Sequence, residues 1–282
     1  MDLSGKVALV TGSTDGVGRV VARKLADDGA MVLVHGRNHD RGERLVSDIE
    51  AGGGRARFVA ADLSSMAEVR RFADVVLESA NRLDVLINNA GIGPGHSSKV
   101  RQLSADGYEL GFAVNYLAGF LLTSLLLPRI LASAPARVVN VTSAGQHPID
   151  FDDVMLTAGY SGGRAYTQSK LAQVMFTFDL ASELDPARVT ANCLHPATYM
   201  DTTMVRQIGI APRNTTETGA VAIMRLAAAP DLEGVTGKYF DGSRESHADA
   251  QAYDLDARRR LRRLSLDLTG LADASGDARS IA

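Results

Sequence analysis

Cysteine is nearly absent from this 282-residue chain. Cys193 stands alone, so neither an intramolecular disulfide nor a cysteine-built metal cluster can form, which fits a reducing compartment and makes the cytoplasm the expected location. An excess of one charge is missing too. Thirty basic residues face 33 acidic ones, a formal net charge of -3, and the two signs are interspersed, leaving no global field to gather nucleic acid or an anionic membrane. The opening Met1-Asp2-Leu3-Ser4-Gly5-Lys6 lacks the basic-then-apolar layout of a secretory signal. No apolar run is expected to reach the roughly 20 residues of a membrane span. The longest, residues 112–127, contains Asn115, Tyr116, Thr123 and Ser124, stops at Pro128, and is expected to be a buried helix. His35, His39, His96, His147, His195 and His247 lack close ligand spacing, so no metal site is expected. Internal repeats and low-complexity linkers are also missing.

What is present is a rhythm. Apolar residues make up 45% of the chain, ample for a substantial core. Short β-branched runs alternate with longer stretches of helical period, the pattern of βαβ units and a parallel sheet. Strands are expected near 7–11, 31–35, 56–60, 85–88, 137–142, 189–194 and 238–240, and helices near 18–28, 41–51, 66–80, 105–131, 164–184 and 216–228. The fold class is therefore α/β, a Rossmann-type doubly wound parallel sheet of about seven strands with helices on both faces. One domain is expected over residues 1–245, followed by a C-terminal helix and tail over 246–282, packed on it or extending from it. The basic run 258–263 is flanked by Asp254, Asp256 and Asp267 and reads as a solvated terminal helix.

The first strand runs into Thr11-Gly12-Ser13-Thr14-Asp15-Gly16-Val17-Gly18, after which a helix opens. Glycines there allow a tight turn and close backbone approach to a pyrophosphate, and the helix N-terminus offers free amides. The spacing departs from Gly-x-Gly-x-x-Gly, and Asp15, unexpected beside phosphate, is expected to cap the helix. At the end of the second strand, where a carboxylate would bond a ribose diol, the chain has His35-Gly36-Arg37-Asn38. Arg37 can pair a 2'-phosphate through its planar fork, which favours NADP(H) over NAD(H). Tyr166 and Lys170 stand four apart on one helix face, and a lysine ammonium beside a phenol favours phenolate.

These residues, with Asp62-Leu63, Asn88-Asn89-Ala90-Gly91, Asn115 and Ser143 in the same order, resemble the classical short-chain dehydrogenase/reductase family. The stretch Ile149-Asp150-Phe151-Asp152-Asp153, the run from Arg164 to Ala172 and Gly237-Lys238-Tyr239-Phe240 are most similar to its retinol-dehydrogenase-like branch. The resemblance implies that Asp62 and Leu63 bracket an adenine and that Asn89, Ala90 and Gly91 line the cofactor. It implies that Ser143 holds the substrate oxygen, Tyr166 exchanges the proton, and Lys170 assists Tyr166 and holds the nicotinamide ribose. Asn115 would sit in a kinked helix and hold water linking Lys170 to solvent. Pro196 and Thr198 would contact the carboxamide, although Ala197 replaces a glycine usual in the family.

The expected reaction interconverts a ketone or aldehyde and an alcohol. The substrate wall is expected in 92–99, 147–160 and 199–213, where Ile92, Pro94, Ile149, Leu156, Tyr160 and Met204 suit a lipophilic small molecule. An enoyl-type double-bond reductase and a non-catalytic dinucleotide sensor are the alternatives, and a homo-oligomer is possible.

Overall fold

The computed structural model describes residues 1–94 and 100–272. Eight strands form one sheet: β1 (Val7–Val10), β2 (Met31–Gly36), β3 (Arg55–Ala60), β4 (Val85–Asn88), β5 (Ala136–Val141), β6 (Val189–His195), β7 (Tyr239–Asp241) and β8 (Arg244–Ser246). Their order is β3-β2-β1-β4-β5-β6-β7-β8, parallel throughout except for β8, which returns antiparallel to β7. β8 raises the expected count of seven to eight. The order reverses between β1 and β4, and such a switch point leaves a crevice at the carboxyl ends of the strands.

Alternation along the strands supplies two cores. Leu9, Leu33, Leu86, Val138 and Ala191 face one side and Val10, Val34, Ile87, Val139 and Leu194 the other, so the strands are apolar on both faces, as a sheet covered by two helical layers requires. The second layer is α1 (Gly16–Asp27), α2 (His39–Ala51) and α8 (Thr216–Ala228). The first contains α3 (Met66–Ser79), α5 (Ala118–Ala132) and α6 (Gly162–Glu183). Asp15 caps α1, its carboxylate accepting from the Gly16 amide at 2.8 Å, so that helix starts two residues earlier than expected.

The long apolar helix differs most from expectation. Residues 105–109 are not helical. A three-residue α4 (Leu110–Phe112) leads into a π-helical turn at Ala113–Leu117 and then α5, which passes Pro128 and ends at Ala132. The whole Leu110–Ala132 run is long and apolar enough to cross a membrane, but 67% of its most apolar 18-residue stretch is buried within the protein. It packs on α3 and the sheet as a core helix. A short α7 (Thr203–Gln207) precedes α8.

The terminal helix, expected to pack on the domain or to extend from it, is docked by one face. Ala257, Leu261, Ser265 and Thr269 of α9 (Leu255–Thr269) are buried, and Leu261 joins the core with Phe120, Phe176 and Phe178. Two of its arginines face α6, with Arg258 Nε 2.8 Å from Asp179 and Arg262 Nη1 2.5 Å from Glu183. Tyr116, inside the π turn, bonds Ser265 Oγ at 2.6 Å. Ser265 spends its own proton on the Leu261 carbonyl, so Tyr116 is the donor. Leu261→Ala is therefore expected to cost about 2–4 kcal/mol in urea unfolding. Arg259→Ala, at an exposed position, is expected to change stability by less than about 0.5 kcal/mol.

Candidate active site

The glycine-rich turn lies at the switch point and is built by close approach. A Cβ on Gly12 (φ +64) would lie 2.8 Å from the Ala90 Cα, and one on Gly18 would lie 2.5 Å from both the Asn89 amide nitrogen and the Gly12 carbonyl. Thr11 Oγ1 accepts from the amides of Asn89 and Ala90, each at 3.0 Å. The Asn89 side chain donates back to the Thr11 and Gly12 carbonyls at 2.9 and 3.2 Å. Ser13 and Val17 face inward, so this segment offers its backbone at the head of α1. A backbone with no room for side chains, at a 12-residue helix's N-terminus, fits a dinucleotide pyrophosphate.

His35, which the sequence offered only as one of six scattered histidines, holds this turn. Its Nδ1 accepts from the Gly12 amide at 3.0 Å, Nε2 lies 3.3 Å from the Ala61 carbonyl, and the ring stacks on Phe72. The backbone of His35 exchanges further bonds with Ser13. Accepting at Nδ1 and donating at Nε2 requires the neutral ring, and burial pushes its pKa down to about 4. Gly36 belongs to the same construction, because a Cβ there would strike the Thr14 hydroxyl at 2.4 Å.

Arg37 is exposed at the end of β2 and makes no hydrogen bond or ion pair among the described residues. Asn38 caps α2, its side-chain oxygen accepting from the Arg41 amide at 2.9 Å. Arg41 lies 3.5 Å from Asp15, which also accepts from Thr203 Oγ1 at 2.7 Å. Asp62 is half-buried beyond β3 and accepts from the Ser64 amide, whereas Leu63 packs into the core.

On the other side of the switch point, Gly91 leads to Asn115. A Cβ on Gly91 would lie 3.3 Å from Asn115 Oδ1 and 3.4 Å from Lys170 Nζ. Asn115, in the π turn, accepts from the Ile92 amide at 2.7 Å and donates to the Ile92 carbonyl and to Ser169 Oγ. Its amide thus ties the loop after β4 to α6 and makes no direct bond to Lys170. A π turn is a frequent mark of functional sites in helices.

Lys170 is buried, donating to the Val141 carbonyl at 3.0 Å and to Gln173 Oε1 at 2.9 Å, with Nζ 5.8 Å from the Tyr166 ring centroid. Burial pushes its pKa down to about 7. Burial also pushes the Tyr166 phenol above the usual tyrosine range, and a hydrogen bond with Ser143 opposes that shift. Ser143 follows β5, and its carbonyl accepts from Gln146 Nε2 at 3.0 Å and from the Tyr239 hydroxyl at 3.2 Å. Cys193 takes no part, lying buried in β6 with its thiol pushed up to about 12.

Tyr166 opens onto a cavity of about 300 Å³ that includes Ile92, Pro94, Gln102, Glu109, Leu110 and Tyr160. Ile92, Pro94 and Tyr160 were expected in the wall. Ile149 and Leu156, also expected there, are core residues instead. Asp153 folds their loop by accepting from the Thr157 and Ala158 amides, which lets Leu156 turn inward at φ +49. Residues 95–99 lie outside the described residues.

After β6, Pro196 is buried and Thr198 is exposed, with Thr198 Oγ1 3.1 Å from His195 Nε2. Ala197 needs no left-handed backbone. That conformation falls on Tyr199 (φ +47), whose carbonyl accepts from Arg213.

The family model described as short chain dehydrogenase matches residues 6–212. Retinol dehydrogenase 13 of Mus musculus is 37% identical, with 97% of this chain and 86% of that protein covered. Polyprenol dehydrogenase of Mus musculus is 38% identical, covering 97% and 86%. Among solved structures, one from Mycobacterium Paratuberculosis superposes with a TM-score of 0.77 at 29% identity, covering 96% and 95%. The Pseudomonas aeruginosa RhlG/NADP active-site complex gives 0.68 at 30%, covering 85% and 95%. The chain belongs to the short-chain dehydrogenase/reductase family and is similar to its retinol dehydrogenases. It is an NAD(P)-dependent oxidoreductase acting on CH–OH or C=O groups.

His35 makes the cradle sensitive to acid. Its folded pKa lies below the unfolded value near 6.5, so the unfolded chain takes up the proton first as pH falls. Stability is expected to drop by about 3 kcal/mol between pH 6.5 and 4 on this account. His35→Gln is expected to flatten that window in thermal melts taken across it.

Proposed function

We propose that this protein is an NADP(H)-preferring carbonyl/alcohol oxidoreductase with Tyr166 as its proton-transfer group. The observation that carries the reading is Tyr166 at the wall of the cavity, hydrogen-bonded with Ser143 and with Lys170 Nζ 5.8 Å from the centre of its ring. NADP, when bound, supplies or takes up the hydride. The residues that would hold it are Gly12, Thr14, Gly16, Gly18, Asn89, Ala90 and Gly91 at the cradle, with Asp62 beyond β3 and Pro196 and Thr198 after β6. Arg37 would hold the 2'-phosphate.

In the reducing direction a carbonyl oxygen in the cavity accepts from the Ser143 hydroxyl and the Tyr166 phenol. Tyr166 then gives up its proton as negative charge develops on that oxygen. Lys170 stabilises the resulting phenolate. Asn115 keeps the Ile92 loop against α6, fixing the cavity wall relative to Tyr166.

Three features support the NADP preference: Arg37 is free, its neighbour Asn38 is neutral, and no carboxylate stands at the end of β2. A moderately hydrophobic substrate is supported by Ile92, Pro94 and Leu110 in the cavity and by the apolar alcohols in the relatives' names. Gln102 and Glu109 add a polar portion to the same space. The buried, solitary Cys193 is consistent with a cytoplasmic setting.

Tyr166→Phe is expected to lower kcat by about 10²–10⁴-fold while nicotinamide fluorescence reports unchanged cofactor binding. Undiminished turnover would sink the mechanism, and absence of turnover in the wild type would favour a sensor. Arg37→Ala is expected to weaken NADPH binding about tenfold and leave NADH within about twofold. Equal effects on the two cofactors would overturn the assignment of Arg37.

A further inference from the structure

Lys170 contributes to the site through its charge, yet the structure surrounds that charge with little that favours it. Among the described residues no carboxylate, imidazole or second cation contacts it. Tyr166 is its titratable neighbour on α6. Strand β5 presents the Val141 carbonyl, and the loop after β4 passes at Gly91, where a Cβ would lie 3.4 Å from Nζ. The remaining polar contact is Gln173, one helical turn further along α6, whose Oε1 lies 2.9 Å from Nζ. Gln173 is itself buried.

The direction of that amide is fixed by chemistry. An ammonium has donors only, so the oxygen of Gln173 must face it and the amide NH2 must face away. Gln173 also lines a void of about 10 Å³ shared with Thr11, Asn88 and Asn115, which is room for about one water molecule. The side-chain oxygen of Asn88 is buried with no partner among the described residues. The backbone of Gln173 is held as well: its carbonyl accepts from Thr177 Oγ1 at 2.7 Å, Thr177 accepts from Asn140, and Asn140 accepts from Asn88. A polar seam thus crosses β4, β5 and α6 and ends on Lys170.

We infer that Gln173 is a positioning residue for the reaction, holding the Lys170 ammonium in its charged form and in place beside Tyr166. Its oxygen and the Val141 carbonyl are the two acceptors that offset the loss of water around Nζ. Among the described residues no hydrogen bond joins the Gln173 side chain to Tyr166, Ser143 or the glycine-rich turn, and its effect reaches the chemistry through Lys170. The inference rests on Tyr166 being the proton-transfer group.

The test is the pH dependence of kcat for alcohol oxidation in the wild type, Gln173→Met and Gln173→Glu, with melting temperatures and a Tyr166→Phe control. Methionine keeps the length and removes the acceptor, so the ammonium weakens and the phenol becomes harder to ionise. The acid limb is expected to move to higher pH by about one unit, lowering kcat near pH 7 about tenfold with substrate KM within about twofold. Glutamate sets a negative charge against the ammonium and is expected to move the limb the same way by cancelling its field at Tyr166. A wild-type limb in the folded methionine variant overturns the inference. Where that variant does not fold, an unmoved limb in Gln173→Glu overturns it instead. An inactive Tyr166→Phe with unshifted Gln173 variants removes only the role of Gln173, whereas an active Tyr166→Phe removes the reading of Tyr166 and this inference with it.

Discussion

The Thr11 hydroxyl is the joint on which the site depends. It accepts from the amides of Asn89 and Ala90 while the Asn89 side chain grips the Thr11 and Gly12 carbonyls, so the carboxyl ends of β1 and β4 are fastened where their loops diverge. The glycine-rich turn leaves on one side of that fastening and the loop to Asn115 on the other. Close approach follows from it. Gly12 and Gly18 have no room for a methyl group because the β4 loop is drawn against them, and the relation between the cradle and the proton-transfer residues is set by backbone contacts.

Around that joint, neutral and charged groups are arranged by burial. His35 supports the turn as a neutral ring, and Lys170 is proposed to act as a cation, although both lie away from water. The difference lies in their partners. His35 meets one donor and one acceptor, which selects the neutral tautomer, whereas Lys170 meets two carbonyl oxygens, which favour the ammonium against the burial that lowers its pKa to about 7. Burial lowers both pKa values, and the partners differ: a donor and an acceptor for the ring, two acceptors for the amine.

Much of this was legible in the sequence. The apolar strands, the capped Gly-rich turn and the Tyr166–Lys170 spacing announce a parallel sheet with a dinucleotide site, because their signals are local. What escaped was non-local or short. β8 has three polar residues at the sheet edge and no apolar pattern to betray it. The π turn adds a residue within one helical turn without breaking the run of apolar residues around Asn115. The arginines of α9 resemble a solvated face, since Asp179 and Glu183 that receive them lie about 80 residues earlier. Ile149 and Leu156 looked like substrate wall because nothing in their spacing shows that Asp153 turns the loop inward. His35 was indistinguishable from five other histidines until the strand placed it under Gly12.

The docking of α9 has a bearing on how the protein is made. The residues proposed for proton transfer end at Lys170, whereas the helix that receives the Tyr116 hydroxyl and packs on α6 begins about 85 residues later. During vectorial synthesis the sheet and the glycine-rich turn can assemble before this cover exists. A nascent chain at that point carries every residue proposed to react, yet Tyr116 in the π turn lacks its Ser265 partner. Helix α9 therefore completes the domain late, closing on α6 and the π turn after the residues proposed to react are already in the chain.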